Sequence, residues 1–95
     1  MTSTVANTLA MRQKTYGTFL ENATIAQLLK RTLRTSDNFN RLRPDQRQAL
    51  DVICDKMARI LSGDPDYIDN WHDIQGYAML VENSLQQKEG MPVAD

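Results

Sequence analysis

The sequence predicts an all-α protein, a small helical bundle built on an antiparallel C-terminal helix hairpin and oligomeric in solution. Three observations carry this. Apolar residues recur at three- and four-residue spacing along most of the chain. No stretch alternates apolar and polar residues as a half-buried strand would. Pro44, Gly63 and Pro65 stand where helices begin and end.

The elements follow in order. Ala6, Leu9, Ala10 and Gln13 sit at helical spacing behind the capping residues Ser3 and Thr4, which predicts a short first helix. Tyr16-Gly17 interrupts it, because Gly favours a turn over a helix interior. Thr24 is the expected cap of a second helix running to about Thr35, with Ile25, Leu28, Leu29 and Leu33 inward. Ser36-Asp37-Asn38 reads as a turn.

A third helix is expected over about residues 44–62. Pro44 suits its first turn, Asp45 complements the positive end of the dipole, and Gly63 stops it. Ala49, Leu50, Val52, Ile53, Met57, Ile60 and Leu61 give it a broad apolar stripe. A fourth helix follows the Gly-Asp-Pro-Asp connection over about residues 68–87, with Trp71, Ile74, Tyr77, Ala78, Val81 and Leu85 on one side. The short linker predicts that helices three and four fold back on each other. Residues 1–89 read as one helical domain and 90–95 as a frayed tail. Two wide apolar stripes exceed what one neighbouring helix covers, and a chain of 95 residues buries only a modest fraction of its surface. Both point to a homo-oligomer.

Hydrophobic residues make up 41% and charged residues 24%, which excludes a collagen and a disordered acidic tail. The single cysteine, Cys54, forms no internal disulfide; it reads as a small core residue of a cytoplasmic protein, and the five methionines read as core filler. No apolar run approaches the ~20 residues needed to span a bilayer, so no membrane partner is expected. The net charge of −1 is unevenly spread. Residues 1–48 hold eight Lys/Arg against three acids, net +5; residues 49–95 hold three against nine, net −6. The halves can attract each other, or the basic half can serve an anion such as phosphate. The acidic half argues against duplex nucleic acid.

The densest cluster of chemistry-bearing residues is Asp69-Asn70-Trp71-His72-Asp73 with Gly76 and Tyr77. Asp69, Asp73, Gly76 and Tyr77 share a helix face, and Lys56 and Arg59 lie one turn apart near the end of the preceding helix. The plainer reading is a pair of salt bridges, Asp69 and Asp73 against Arg59 and Lys56, plus helix capping. The sharper reading is a ligand site: Lys56 and Arg59 for phosphate, Asp69, Asn70 and Asp73 for hydroxyls, and Tyr16, Trp71 and Tyr77 for stacking. Arg12 or Lys14 from a neighbouring subunit would complete it. Gly76 in mid-helix costs about 1 kcal/mol relative to Ala and suggests a close approach at that point. His72 lacks a cysteine, serine or second histidine at catalytic spacing and reads as a surface residue, so no catalytic residue is assigned.

Tyr16-Gly17, Lys56-Met57-Ala58-Arg59-Ile60 and the Asp69-Asn70-Trp71 to Gly76-Tyr77-Ala78 segment together resemble small helical bacteriophage proteins with a DNWxDxxGYA-type motif. These are distantly similar to nucleotide-modification-associated and MazG-like all-α NTP pyrophosphatase groups. The resemblance covers roughly residues 12–85. It implies a phage-encoded, helical, oligomeric protein of the host cytoplasm that handles nucleotides. MazG-like enzymes place an EExxE on one helix and an ExxD on the next to hold Mg²⁺. Here the first two helices offer only Glu21, and Asp55, Asp69 and Asp73 are the acids left to imitate the metal set.

The favoured expectation is therefore a binder of a nucleotide-derived ligand, of the cyclic nucleotide or cyclic ADP-ribose immune-signal type, held without turnover and without a cofactor. The alternative is a Mg²⁺-dependent (d)NTP pyrophosphatase. A third class is an inhibitor that lays an apolar helix face on a host enzyme.

Overall fold

The computed structural model describes residues 4–88; the expected tail at 90–95 lies outside them. The protein is all-α. Helix α1 spans Thr4–Tyr16, α2 Phe19–Leu33, α3 Pro44–Ser62 and α4 Ile68–Lys88, with a short 3-10 helix at Asp37–Arg41 between α2 and α3.

Local sequence explains most of the boundaries. α3 begins at Pro44, whose missing N–H costs nothing there. The Arg43 N–H just before it donates to Gln46 Oε1 at 2.9 Å. Gly63 closes α3 with its N–H on the Arg59 carbonyl. The start of α2 differs from expectation. Its cap is Thr18, not Thr24: the Glu21 N–H donates to Thr18 Oγ1 at 3.1 Å, and the Thr18 hydroxyl donates to the Glu21 carboxylate at 2.9 Å. Thr24 lies inside the helix, its hydroxyl donating back to the Leu20 carbonyl at 2.7 Å. Gly17 makes the early start possible. It takes φ +82°, so α1 ends and α2 begins within two residues.

α3 is central. α2 packs on one side of it, α4 on the other, and the end of α1 against its C-terminal part. The buried apolar residues are Ala26, Phe39, Ala49, Cys54 and Ala58, four of them small, so the helix backbones approach closely. Arg34 makes a bidentate pair with Asp51 at 2.8 and 2.9 Å, and Lys30 pairs with Asp55 at 2.8 Å, fixing α2 on α3. Arg43, just before α3, reaches Ser84 near the end of α4, while Lys56 pairs with Asp73 near its start. The burial pattern corrects two expectations. Met11, Met57 and Met79 are exposed rather than filling a core, and Leu50, Leu61, Trp71 and Ala78 of the expected stripes also face outward, while the rest of those stripes are buried or half-buried. Among the described residues, no helix is long and apolar enough to cross a membrane.

Candidate functional site

The α1–α2 elbow is locked to the end of α3 by two glycines. A Cβ on Gly17 would lie 2.3 Å from the Ser62 carbonyl oxygen, and one on Gly63 would lie 2.3 Å from the Thr15 carbonyl oxygen. Both contacts exclude any side chain. Around them the Asp64 N–H donates to the Thr15 carbonyl at 2.8 Å. The Ser62 hydroxyl and the Asn22 amide donate to the Tyr16 carbonyl at 2.9 and 3.3 Å.

This lock sets the position of the Tyr16 ring. The guanidinium carbons of Arg12 and Arg59 each lie 4.9 Å from its centroid. Tyr67 meets it edge-on, with centroids 5.6 Å apart. The Tyr67 hydroxyl donates to the Asp69 carboxylate at 3.1 Å. A hydrogen bond with Tyr16, followed by that to Asp69, pushes the Tyr67 pKa up to about 12.

Tyr16, Arg12 and Arg59 open onto a groove of about 660 Å³ between α1, α2 and α3. Leu9 and Phe19 form its apolar wall, and Gln13, Asn22, Gln27 and Asp55 add polar groups. Neither Arg12 nor Arg59 has a carboxylate ion pair among the described residues. Two positive charges thus face one aromatic ring, with anion-binding capacity unspent.

The remaining expected site residues scatter. Arg59 lies over Tyr16, not against Asp69. Arg12 reaches Tyr16 within its own chain, so no neighbouring subunit is needed to supply it. Lys56 and Asp73 pair at 2.9 Å, and that bond holds the Asp73 carboxyl below its ordinary range. Asn70 is 1% exposed, enclosed where α4 meets α3, with no hydrogen-bond partner for its Nδ2. It is a packing residue with an orphaned donor rather than a surface group. The Trp71 indole N–H donates to the Pro65 carbonyl at 2.8 Å, away from the groove. Tyr77 is half-buried and also outside the groove. Gly76 is not closely approached: a Cβ there would meet nothing within 4 Å. Among the described residues, Asp55, Asp69 and Asp73 do not gather into a group able to hold a metal ion. Each is engaged singly, by Lys30, Tyr67 and Lys56.

Asn22, Gln13 and Gln27 are groove residues that the sequence reading missed. Asn22 had a usable signal, since it falls one turn after the Thr18 cap, beside the Tyr16-Gly17 break.

Fold and groove together define a small all-helical protein with a cationic–aromatic cleft at a helix elbow. Residues 3–85 match the family model described as a domain of unknown function, DUF6378, and the chain belongs to that family. No curated protein and no solved structure matches the chain.

Proposed function

We propose that this protein is a phage-encoded binder of a nucleotide-derived anion, acting in the host cytoplasm as a homo-oligomer and holding its ligand without turnover. One observation carries the reading: Arg12 and Arg59, which form no carboxylate ion pair among the described residues, flank the Tyr16 ring at the mouth of a 660 Å³ groove. The guanidinium groups suit phosphate oxygens, the ring and the Leu9–Phe19 wall suit a base, and the Gln13, Asn22 and Gln27 amides suit its polar edge. The ligand class best matched is a cyclic nucleotide or cyclic ADP-ribose signal, for which retention alone is a function. Antiparallel pairing of α3 and α4 is supported by the Arg43–Ser84 and Lys56–Asp73 contacts at opposite ends of the pair.

The Mg²⁺-dependent pyrophosphatase alternative needs carboxylates free to share a metal with a triphosphate. Asp55 and Asp73 are each neutralised by a lysine in this fold, and Asp69 accepts from the Tyr67 hydroxyl. An inhibitor of a host enzyme would instead need a protein-sized surface. One experiment separates the three. The protein is incubated with labelled linear and cyclic nucleotides plus Mg²⁺, then denatured, and both bound and released species are analysed. Intact ligand recovered from the protein is the expected result. Cleaved ligand with pyrophosphate release means an enzyme, and no retained nucleotide overturns the groove assignment.

A further inference from the structure

α2 and α3 meet along a ladder of charged side chains at four-residue spacing. Arg34 on α2 pairs with Asp51 on α3 at 2.8 Å, and one turn away Lys30 pairs with Asp55 at 2.8 Å. Numbers fall along α2 as they rise along α3, so the two helices run antiparallel. One turn further, the same register sets Ala26 against Arg59. Both residues line the groove. Ala26 is buried and carries no carboxylate, so α2 offers Arg59 no acid at this rung. The guanidinium carbon of Arg59 instead lies 4.9 Å from the Tyr16 centroid.

An acid nevertheless stands one turn away on α3 itself. Asp55 precedes Arg59 by four residues, and an acid N-terminal to a base at that spacing is the favourable order for a helical ion pair. Asp55 lines the same groove. Its Oδ1 is 2.8 Å from Lys30 Nζ, while Arg59 forms no ion pair among the described residues. Lys30 approaches from α2, with its side chain 23% exposed, and does not line the groove.

We propose that Lys30 is a positioning residue of the groove: by holding Asp55, it leaves Arg59 over Tyr16 with its charge open to an anion. The consequence for ligand rests on the anion-binding reading of the groove. Without Lys30, the cation one turn along the helix from Asp55 is Arg59. Pairing with it draws the guanidinium off the Tyr16 ring and neutralises it. An anion then meets a spent ion pair in place of an open guanidinium, and affinity falls. The Lys30–Asp55 pair is partly exposed and contributes little stability of its own, so the fold should survive its loss.

Nuclear magnetic resonance on the full chain without ligand reads the position of Arg59. In wild type the Tyr16 ring current should displace the Arg59 side-chain proton resonances upfield. Lys30→Met and Lys30→Gln should each abolish that displacement, and Lys30→Arg should keep it. Adding Asp55→Asn to Lys30→Met should restore it. A displacement that survives both neutral variants overturns the inference, as does one that Asp55→Asn fails to restore.

Titration calorimetry with inorganic pyrophosphate and with cyclic ADP-ribose reads the consequence for binding. Lys30→Met should weaken it about tenfold, and the added Asp55→Asn should recover it. Arg31→Met removes the same charge from the next position of α2, where no ion pair forms among the described residues. It should leave affinity near wild type. Equal losses from Lys30→Met and Arg31→Met would overturn a positioning role, because charge alone would explain both. The two readings fail separately. Wild type that binds neither anion, with the Arg59 displacement still under the control of Lys30, overturns ligand binding and leaves the Lys30–Asp55–Arg59 relation standing. Binding with a displacement indifferent to Lys30 does the reverse.

Discussion

The two sides of α3 obey different rules. On the side of α1, nearly every functional group has a defined partner: Asp55 takes Lys30, Lys56 takes Asp73, and Arg59 lies over Tyr16. On the other side Leu50, Met57 and Leu61 meet solvent. Exposed ion pairs contribute little stability each, typically 0–1 kcal/mol, but they are directional and select one arrangement of helices. Apolar area is non-directional and is where binding free energy is to be gained. One side therefore specifies the fold and forms the groove, while the other holds surface that the chain alone does not bury.

The strongest way to break this contrast is at the glycine lock. Gly17→Ala forces a side chain into φ +82° and onto the Ser62 carbonyl at 2.3 Å. A left-handed non-glycine residue costs about 1–3 kcal/mol, and the contact adds backbone movement, so the expected loss is roughly 3 kcal/mol or more. In a domain of this size that lowers the melting temperature by about 12–24 °C. The apolar side is untouched by this change. Melting curves that superpose on wild type would show that the elbow is not what orders the α1 side.

The next effect sharpens the distinction within the polar side itself. Arg59→Ala removes from the groove a cation with no carboxylate ion pair among the described residues, and should weaken nucleotide binding by about 1.5–3 kcal/mol, tenfold or more. Lys56→Ala removes a cation already neutralised by Asp73 and lying outside the groove lining. It should leave affinity within about twofold. Calorimetric titration of both variants decides the matter, and equal losses would return the site to the α3–α4 junction.

A smaller effect of opposite sign is expected from Gly76→Ala. Gly76 is an exposed interior residue of α4 with nothing within 4 Å of an added Cβ. Alanine should raise stability by about 0.5–1 kcal/mol, read as a higher melting temperature. A lower melting temperature than wild type would overturn this reading of Gly76 as an open helix position.

These variants also show why some of the molecule was legible in the sequence and some was not. The limits of α3 and α4 are written in local chemistry: Pro44 and Gly63 act within one turn of themselves. The start of α2 is ambiguous in sequence, because Thr24 precedes Ile25 and Leu28 as a cap should, whereas Thr18 with Glu21 three residues later is the pair that forms. The sequence groups Tyr16, Arg59, Lys56 and Asp73 at one site, yet its helical spacing points Arg59 at Asp69 rather than at the Tyr16 ring. Which cation meets which acid depends on where α1 lies, and that is set by the backbone angle of Gly17, not by periodicity. Asn70 follows from geometry that was readable: it precedes Tyr77 by seven residues and shares its stripe towards α3. The exposed methionines and leucines were beyond reach for a different reason, since an apolar pattern marks a face to be covered but not the chain that covers it.

The smallest expected effect concerns pH, and it separates the α2–α3 contact from the groove. Hydrogen bonding to Arg34 holds the folded Asp51 carboxyl below its ordinary value of 3.8. As pH falls below that value the unfolded chain takes up the proton before the folded one, so the stability contributed by the pair is present above it and is lost through the lower folded pKa. Tyr67 behaves in the opposite sense. Its pKa rises from 10.0 to about 12, so the folded chain keeps the proton longer and the contribution is lost as pH rises across that window. Asp51→Asn should therefore flatten only the acid limb of a helicity-against-pH curve, and Tyr67→Phe only the alkaline limb. The two groups belong to different packing contacts, α2 on α3 and the Tyr16 cluster, so the limbs should respond independently. An Asp51→Asn curve that matches wild type between about pH 2 and 5 would show that Arg34 orients α2 without contributing measurable stability, the usual outcome for an exposed pair.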